Sequence, residues 1–582
     1  MKTLTRNAAI FFILLMSSFA NAQQWGYYTL YATKNGTQAY LIDTADAPVI
    51  YKTWTFSSSK KSAYSSYLIP GDTLVRSYKP SGNTWNTGPC HGGIQKIAWD
   101  GTIAWDYVYY QNGSYSPHHD ICPMPNGNVL LICYEAKTAA DATQAGCSSN
   151  AAIYSEKIIE VKPTGATTGT IVWEWHLWDH LCQNYNSLKD NYVTSIVANP
   201  QLMNINYTGT GTLPDRYHMN GIDYNANLDQ IVFSMHFMNS AFVIDHSTTT
   251  SEAAGHTGGN SGKGGDFLYR WGNPASYGAT GTAIFNVIHD AHWISSDNPN
   301  YPDYLAAFEN DPGSNSKVNI WNPPDSGYNY AHTYGTAYAP AAPNYTFTSV
   351  FTSNNEGNSQ QLPNGNMLVN NSFGAVYEVN AAGTQIWTKA GTNSTHCYRY
   401  TKCYVRGPSA TAGASVTQLC SGLPITLSSS AVSLTETNPG YQYSWSSTPA
   451  GFSSPLQNPT ITAPTAGNYH VVVTITNTTL GCSDTASINI LVDACSGLDE
   501  SQNDFATLNI FPNPATGIIE LQGNALNSHK YEVAIYSTQG KLLKKEMNTK
   551  SLDLSAFDNG IYYLVLTSEN AASITRKVFI IK

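Results

Sequence analysis

The sequence predicts an all-β chain in several parts: a six-bladed β-propeller, then an Ig-like β-sandwich, then a small C-terminal β-sandwich. Helical periodicity is weak throughout, while short apolar runs bounded by Asn, Gly and Pro recur. A phrase of strand, polar turn, strand and closing tryptophan repeats from Leu41 to Trp387. Composition then shifts twice, after Arg406 and after Cys495. At 582 residues the chain exceeds a single core, so several domains are expected.

Residues 1–22 read as a signal peptide. Lys2 and Arg6 supply the charged start, Ala8 to Phe19 the apolar run, and Ala20-Asn21-Ala22 the small-residue cleavage site. The run falls short of the roughly 20 residues that span a bilayer. The protein is therefore expected to be exported, and secreted or held at the outer-membrane surface. Ten cysteines without a CxxC pair favour disulfides over a zinc ribbon. A net charge of −10 with no Lys/Arg block excludes a nucleic-acid footprint.

Residues 23–406 form the expected propeller. Copies of the repeat close on Trp54, Trp105, Trp173, Trp271 and Trp387, with a sixth, altered copy between Ser316 and Phe351. Pro125 to Asn128 and Pro363 to Asn366 repeat Pro-Asn-Gly-Asn, a tight turn before an apolar strand. Two β-sandwiches would be the alternative, but the tryptophans are spread over the whole segment. A propeller gives each copy one turn at the mouth of a shared channel.

Residues 407–495 alternate apolar and polar positions, as at Val471, Val473 and Ile475, and resemble an Ig-like or PKD-like module. Cys420 and Cys482 fall in this module and are expected to join its sheets. His470 reads as a structural strand residue, and the module as a spacer or sugar-binding accessory. Residues 496–504 form a polar linker. Residues 505–582 carry Phe511-Pro512-Asn513-Pro514, a hairpin turn at Thr538 to Lys541, Gly560-Ile561-Tyr562-Tyr563 and a basic-apolar end at Arg576-Lys577-Val578. In that order these phrases resemble the C-terminal sorting domain of the Bacteroidetes type IX secretion system. The resemblance implies the secretion machinery as a partner.

Four histidine constellations stand at strand edges of the propeller: Pro117-His118-His119-Asp120, Tyr217-His218-Met219-Asn220, Ser234-Met235-His236 and His289-Asp290-Ala291-His292. Each is expected to aim at the same end of the channel. The phrases HHDICPMPNGNVLL, DRYHMNGIDYNANLDQIVFS, IHDAH with LAAFENDPG, and QQLPNGNML resemble the bacterial arylsulfate sulfotransferases over roughly residues 90–390. That resemblance implies a six-bladed propeller that moves a sulfuryl group from an aryl sulfate to a phenol without PAPS. It implies His289 as the nucleophile, with His119 and His218 at the sulfate. The family arginine falls on His236, an imidazole without the fixed charge and fork of guanidinium.

No organic cofactor is expected, although Asp side chains and carbonyls leave room for a structural Ca2+. Aryl sulfates and phenolic small molecules are the expected partners. The second reading is a non-catalytic or metal-holding surface propeller that binds glycans or phenolics.

Overall fold

The computed structural model of the chain describes residues 26–70, 72–432, 440–494, 508–527, 530–568 and 573–582. The signal peptide and the 496–504 linker lie outside the described residues. No helix among the described residues is long and apolar enough to cross a membrane.

Between Tyr28 and Tyr400 the chain folds into six four-stranded antiparallel sheets, which is a propeller-type all-β architecture. The first sheet takes three strands from the start of this region and its edge strand, Cys397–Tyr400, from the end. The two ends of the region are thereby hydrogen-bonded into one sheet. Six edge strands face inward: Ser62–Ile69, Tyr115–Pro123, Met219–Asn225, Ile288–Trp293, Asn358–Gln361 and Cys397–Tyr400. Each neighbours the next in chain order.

An apolar layer fills the space between every neighbouring pair of sheets. Strands such as Gln230–Met235 and Ser240–Asp245 are buried along their whole length because both faces are covered. The repeated tryptophans explain the periodicity physically. Trp54, Trp105, Trp173, Trp271 and Trp387 all lie on the outermost strand of their sheet. Each indole N–H donates to the next sheet's outer turns: to Ala98, Thr168, Thr248, Pro340 and, across the closure, Ala45. In the altered copy the tryptophan, Trp321, sits one strand further in, on Lys317–Trp321, and the outer strand Tyr345–Thr348 has none.

Both Pro-Asn-Gly-Asn phrases are turns from an inner strand to its neighbour. Gly127 (φ 84°) and Gly365 (φ 87°) occupy the left-handed position that a side chain would strain. Residues 409–493 contain a three-stranded and a four-stranded sheet, with the expected strands at Tyr441–Thr448 and Gly467–Asn477. His470 is exposed there and pairs only with Asn489. The sorting region also has two sheets over its own apolar core. Compact packing divides the described residues into two units, those up to 411 with 430–432, 440–443 and 474–486, and the remainder.

The cysteine expectation needs correction. Cys482 bonds to Cys403, not to Cys420, which is in a disulfide of its own. Cys90, Cys122, Cys133, Cys147, Cys182 and Cys397 are buried free thiols. All but Cys182 belong to apolar clusters, where they pack as small hydrophobes. Burial pushes the thiols of Cys90, Cys182 and Cys397 up to about 12, so they are inert as nucleophiles.

Candidate active site

The inner strands are irregular where the histidines fall. Register shifts interrupt four of them, at Ser62/Ser66, Pro117/Ile121, Met219/Gly221 and His289/His292. A bulge re-aims the side chains around it. His119 (φ 47°), His218 (φ 58°), Asp290 (φ 52°) and Val287 (φ 66°) all take left-handed backbone conformations. Such strain is most marked for the β-branched Val287, whose N–H is held by Asn239 Oδ1 at 2.9 Å.

Four predicted residues lie in one row, three of them beside bulges and His236 just past the end of Gln230–Met235. His119 and His218 have ring centroids 4.6 Å apart, His218 and His236 5.3 Å, and His236 and His289 5.3 Å, all edge-on. His119 and His289 open on a small cavity walled also by Tyr64, Asn220, Glu356, Thr395 and His396. Beside it lies a cleft of about 490 Å3 that shares Tyr64 and carries Lys34, Lys61 and Lys79.

The tautomer of His289 follows from its partner. Asn310 donates both amide hydrogens, to Ser353 O at 2.6 Å and Glu356 O at 2.7 Å. Its Oδ1 is thus an acceptor, and it faces His289 Nδ1 at 2.6 Å. His289 therefore carries its proton on Nδ1 and keeps the Nε2 lone pair free. Burial holds His289 well below the usual imidazole range, so the ring is neutral near pH 7.

His119 ends a buried relay. Its Nδ1 lies 2.8 Å from His118 Nδ1, and His118 Nε2 lies 2.9 Å from Glu156 Oε2. Burial raises the Glu156 carboxyl well above its ordinary range and lowers both imidazoles. In the neutral arrangement the Glu156 carboxyl donates to His118, and His118 donates to His119. His119 then presents Nε2–H. His218 donates from Nδ1 to Asp215 Oδ2 at 2.6 Å, and the Tyr134 hydroxyl donates to the same oxygen at 3.1 Å. His236 Nδ1 is buried without a hydrogen-bond partner, and burial and then the His218 imidazole push its pKa down to about 4.

Not every constellation aims the same way. His292, Asp120 and Asp290 line a different cavity of about 580 Å3, together with Asp223. Asp290 does not orient His289. Its Oδ2 accepts from Ser359 N at 2.8 Å and lies 3.3 Å from His292 Nδ1. Sequence reasoning passed over Asn310, His396 and Tyr64. Asn310 lies in the quoted phrase LAAFENDPG, and His396 stands just before an inner strand, as His218 does.

Six propeller-type sheets with an imidazole-lined cavity define the class: an all-β propeller-type protein with titratable side chains gathered among its inner strands. Residues 68–392, more than half of the chain, match the family model described as arylsulfotransferase (ASST). The chain belongs to that family, which carries a sulfotransferase-type function. Residues 509–582 match the secretion system C-terminal sorting domain, the mark of a secreted or outer-surface protein that engages the type IX secretion machinery. No curated protein matches the chain. Among solved structures, a protein of unknown function from Bacteroides caccae is similar at 10% identity over 63% of this chain and 94% of its own, with a TM-score of 0.36. The Pseudomonas aeruginosa periplasmic gluconolactonase PpgL is similar at 11% identity over 64% and 98%, also with a TM-score of 0.36.

Proposed function

We propose that the protein transfers a sulfuryl group from an aryl sulfate to a phenolic acceptor through a sulfo-histidine at His289. The observation that carries this reading is the neutral His289 on the cavity wall, its tautomer held by Asn310 so that the Nε2 lone pair is left free. The Nε2 lone pair attacks sulfur, the sulfur–aryl oxygen bond breaks, and the phenolate leaves with the electron pair. His119 Nε2–H gives the phenolate its proton, refilled from His118 and Glu156. In the second half the acceptor phenol oxygen attacks sulfur and its proton returns to His119. The sulfur–nitrogen bond then breaks and restores the Nε2 lone pair.

Sulfuryl transfer is expected to be loose, by analogy with phosphoryl transfer, so charge and positioning at the sulfate oxygens dominate. His218, backed by the Asp215 carboxylate, and His236 stand in the same row to meet those oxygens. The lysines of the neighbouring cleft add a positive approach for an anion. Rapid quenching of the protein with excess aryl sulfate and no acceptor, followed by mass spectrometry, is expected to reveal an acid-labile sulfo adduct on His289. An adduct on another histidine would overturn the assignment.

One observation favours the second reading, a non-catalytic or metal-holding propeller that binds glycans or phenolics. No Arg or Lys lines the small cavity, and His236 stands where the family arginine is expected. Under that reading no aryl sulfate is turned over, with or without a phenol. Export is tested separately: removing all residues after Ser501 is expected to stop surface delivery while the propeller still folds.

A further inference from the structure

A third histidine cluster lies outside the imidazole row and shares no residue with either cavity. His180 and Asp266 are buried, and His256 is largely exposed, with a side-chain exposure of 59%. His180 closes the short turn Leu177–His180. His256 rides on the glycine-rich loop that joins Ser240–Asp245 to Tyr269–Trp271, and Asp266 ends that loop. A ligand atom from each residue lies within 4.8 Å of the other two. It is the only such group of three His, Cys, Asp or Glu residues among the described residues.

With Asp266 as a carboxylate, the hydrogen bonds of this cluster do not balance around neutral rings. His180 Nε2 faces Ala253 O at 2.8 Å, and a carbonyl only accepts, so the His180 proton sits on Nε2. The lone pair on His180 Nδ1 then points at Asp266 Oδ1 from 2.9 Å. His256 Nδ1 approaches the same oxygen at 2.7 Å. Two ring nitrogens thus converge on one carboxylate oxygen, and a cation between them would satisfy all three. A ring that donates one N–H to a backbone carbonyl and turns its other nitrogen to a shared centre has the form of a metal-ligating histidine. The close approach is built in: a Cβ at Gly265 would lie 2.0 Å from Ala253 O and 2.6 Å from His180 Nε2. The Trp175 ring stacks on His180 with a centroid distance of 5.6 Å and fixes its plane.

We propose that His180, His256 and Asp266 form a zinc-class transition-metal site that staples the 246–266 loop to the propeller. Two imidazoles and a carboxylate suit zinc, with the exposed side left for water as fourth ligand. At metal–ligand distances of about 2.0–2.2 Å the ligand atoms would stand about 3.3 Å apart. The two contacts to Asp266 Oδ1, at 2.9 and 2.7 Å, lie a few tenths of an ångström short of that spacing, and His256 sits on an exposed loop.

The test uses the full chain, stripped with chelator and titrated with Zn2+, with metal content measured after dialysis and thermal midpoint recorded. The expected result is one bound equivalent and a raised midpoint in the wild type, with both lost in His256→Ala. That side chain is exposed, so the variant is expected to fold. His256→Cys restores a ligand and, loaded with Co2+, is expected to show thiolate-to-metal charge-transfer absorption. Absence of a bound equivalent in the wild type overturns the proposal. Undiminished zinc in His256→Ala also overturns it, because the metal then lies elsewhere, and so does a Co2+-loaded His256→Cys without the charge-transfer band.

Discussion

The two cavities of the propeller are lined by adjacent residues and treat charge in opposite ways. His119 and His289 open on the small cavity, and burial keeps both rings neutral. The next residues in sequence, Asp120 and Asp290, line the larger cavity. There burial opposes the charge on His292, but Asp290 and Asp223 outweigh it and raise its pKa to about 9. One HDAH phrase thus holds a neutral imidazole suited to attack and a protonated one that is not. Residue type alone does not separate them. The partner does: Asn310 for one, carboxylates for the other.

The largest expected effect breaks the comparison outright. His289→Ala is expected to lower transfer by roughly 10^3-fold or more, since a nucleophile has no substitute. His292→Gln is expected to leave adduct formation intact. Labelling with an aryl sulfate, read by mass spectrometry on both variants, decides it, and equal loss in both would merge the two cavities into one site. Next in size is Asn310→Ala, which frees the His289 tautomer. A loss of about 10–100-fold in kcat is expected, with KM little changed. Recovery of activity in Asn310→Gln, where the amide is kept, would support positioning over a fold defect, and the thermal midpoint serves as the control.

The third prediction concerns pH. In the free protein burial holds His236 down to about 4. An anion beside it raises that pKa, so binding takes up a proton. Aryl sulfate affinity is therefore expected to tighten as pH falls toward about 4 and to weaken as pH rises through the bound-state value. His236→Arg, with a charge that does not titrate, is expected to flatten this profile and to lower KM by about tenfold, a charge-assisted fork replacing a weaker contact. A KM independent of pH in the native protein would remove His236 from the sulfate site.

The smallest effect is on stability. His91 is buried and His236 half-buried, with pKa values lowered from 6.5 to about 3 and about 4 by burial. Their contribution is present above pH 6.5 and is lost as pH falls through that window, because the unfolded chain then binds more protons. His292 has the opposite sign: its contribution is present below 6.5 and lost as pH rises through about 9. Thermal midpoints are expected to fall at both ends, and His292→Gln is expected to flatten only the alkaline side. An unchanged alkaline limb in that variant would contradict the carboxylate environment assigned to His292.

Much of this architecture was open to sequence reading because it rests on local repetition. The closing tryptophans mark outer strands since each indole must find an acceptor on the next sheet, and that demand recurs once per copy. The Pro-Asn-Gly-Asn turns were readable because their glycines must take positive φ. The four histidine constellations could be found by position at strand edges, and the family resemblance picked His119, His218, His236 and His289 out of them. Their row of edge-on rings could not, because it depends on bulges in three different strands. The cysteines misled for the same reason. Cys420 and Cys482 share a module in sequence, yet Cys482 meets Cys403 across a separation of 79 residues.

By itself, then, the sequence determined the all-β class, the succession of sheets, the C-terminal sorting region and the histidines worth testing. The class and the sheets follow from short-range chemistry (strand patterning, turn residues and repeated packing positions), and the sorting region and the histidines from motifs shared with known families. Only the tertiary structure decided which nitrogen of His289 is free, that Glu156 and His118 stand behind His119, and that Asp290 serves a different cavity from its neighbour. Those outcomes depend on partners 21 to 69 residues away in the chain, brought together by ring closure and by left-handed bulges whose direction no local pattern encodes.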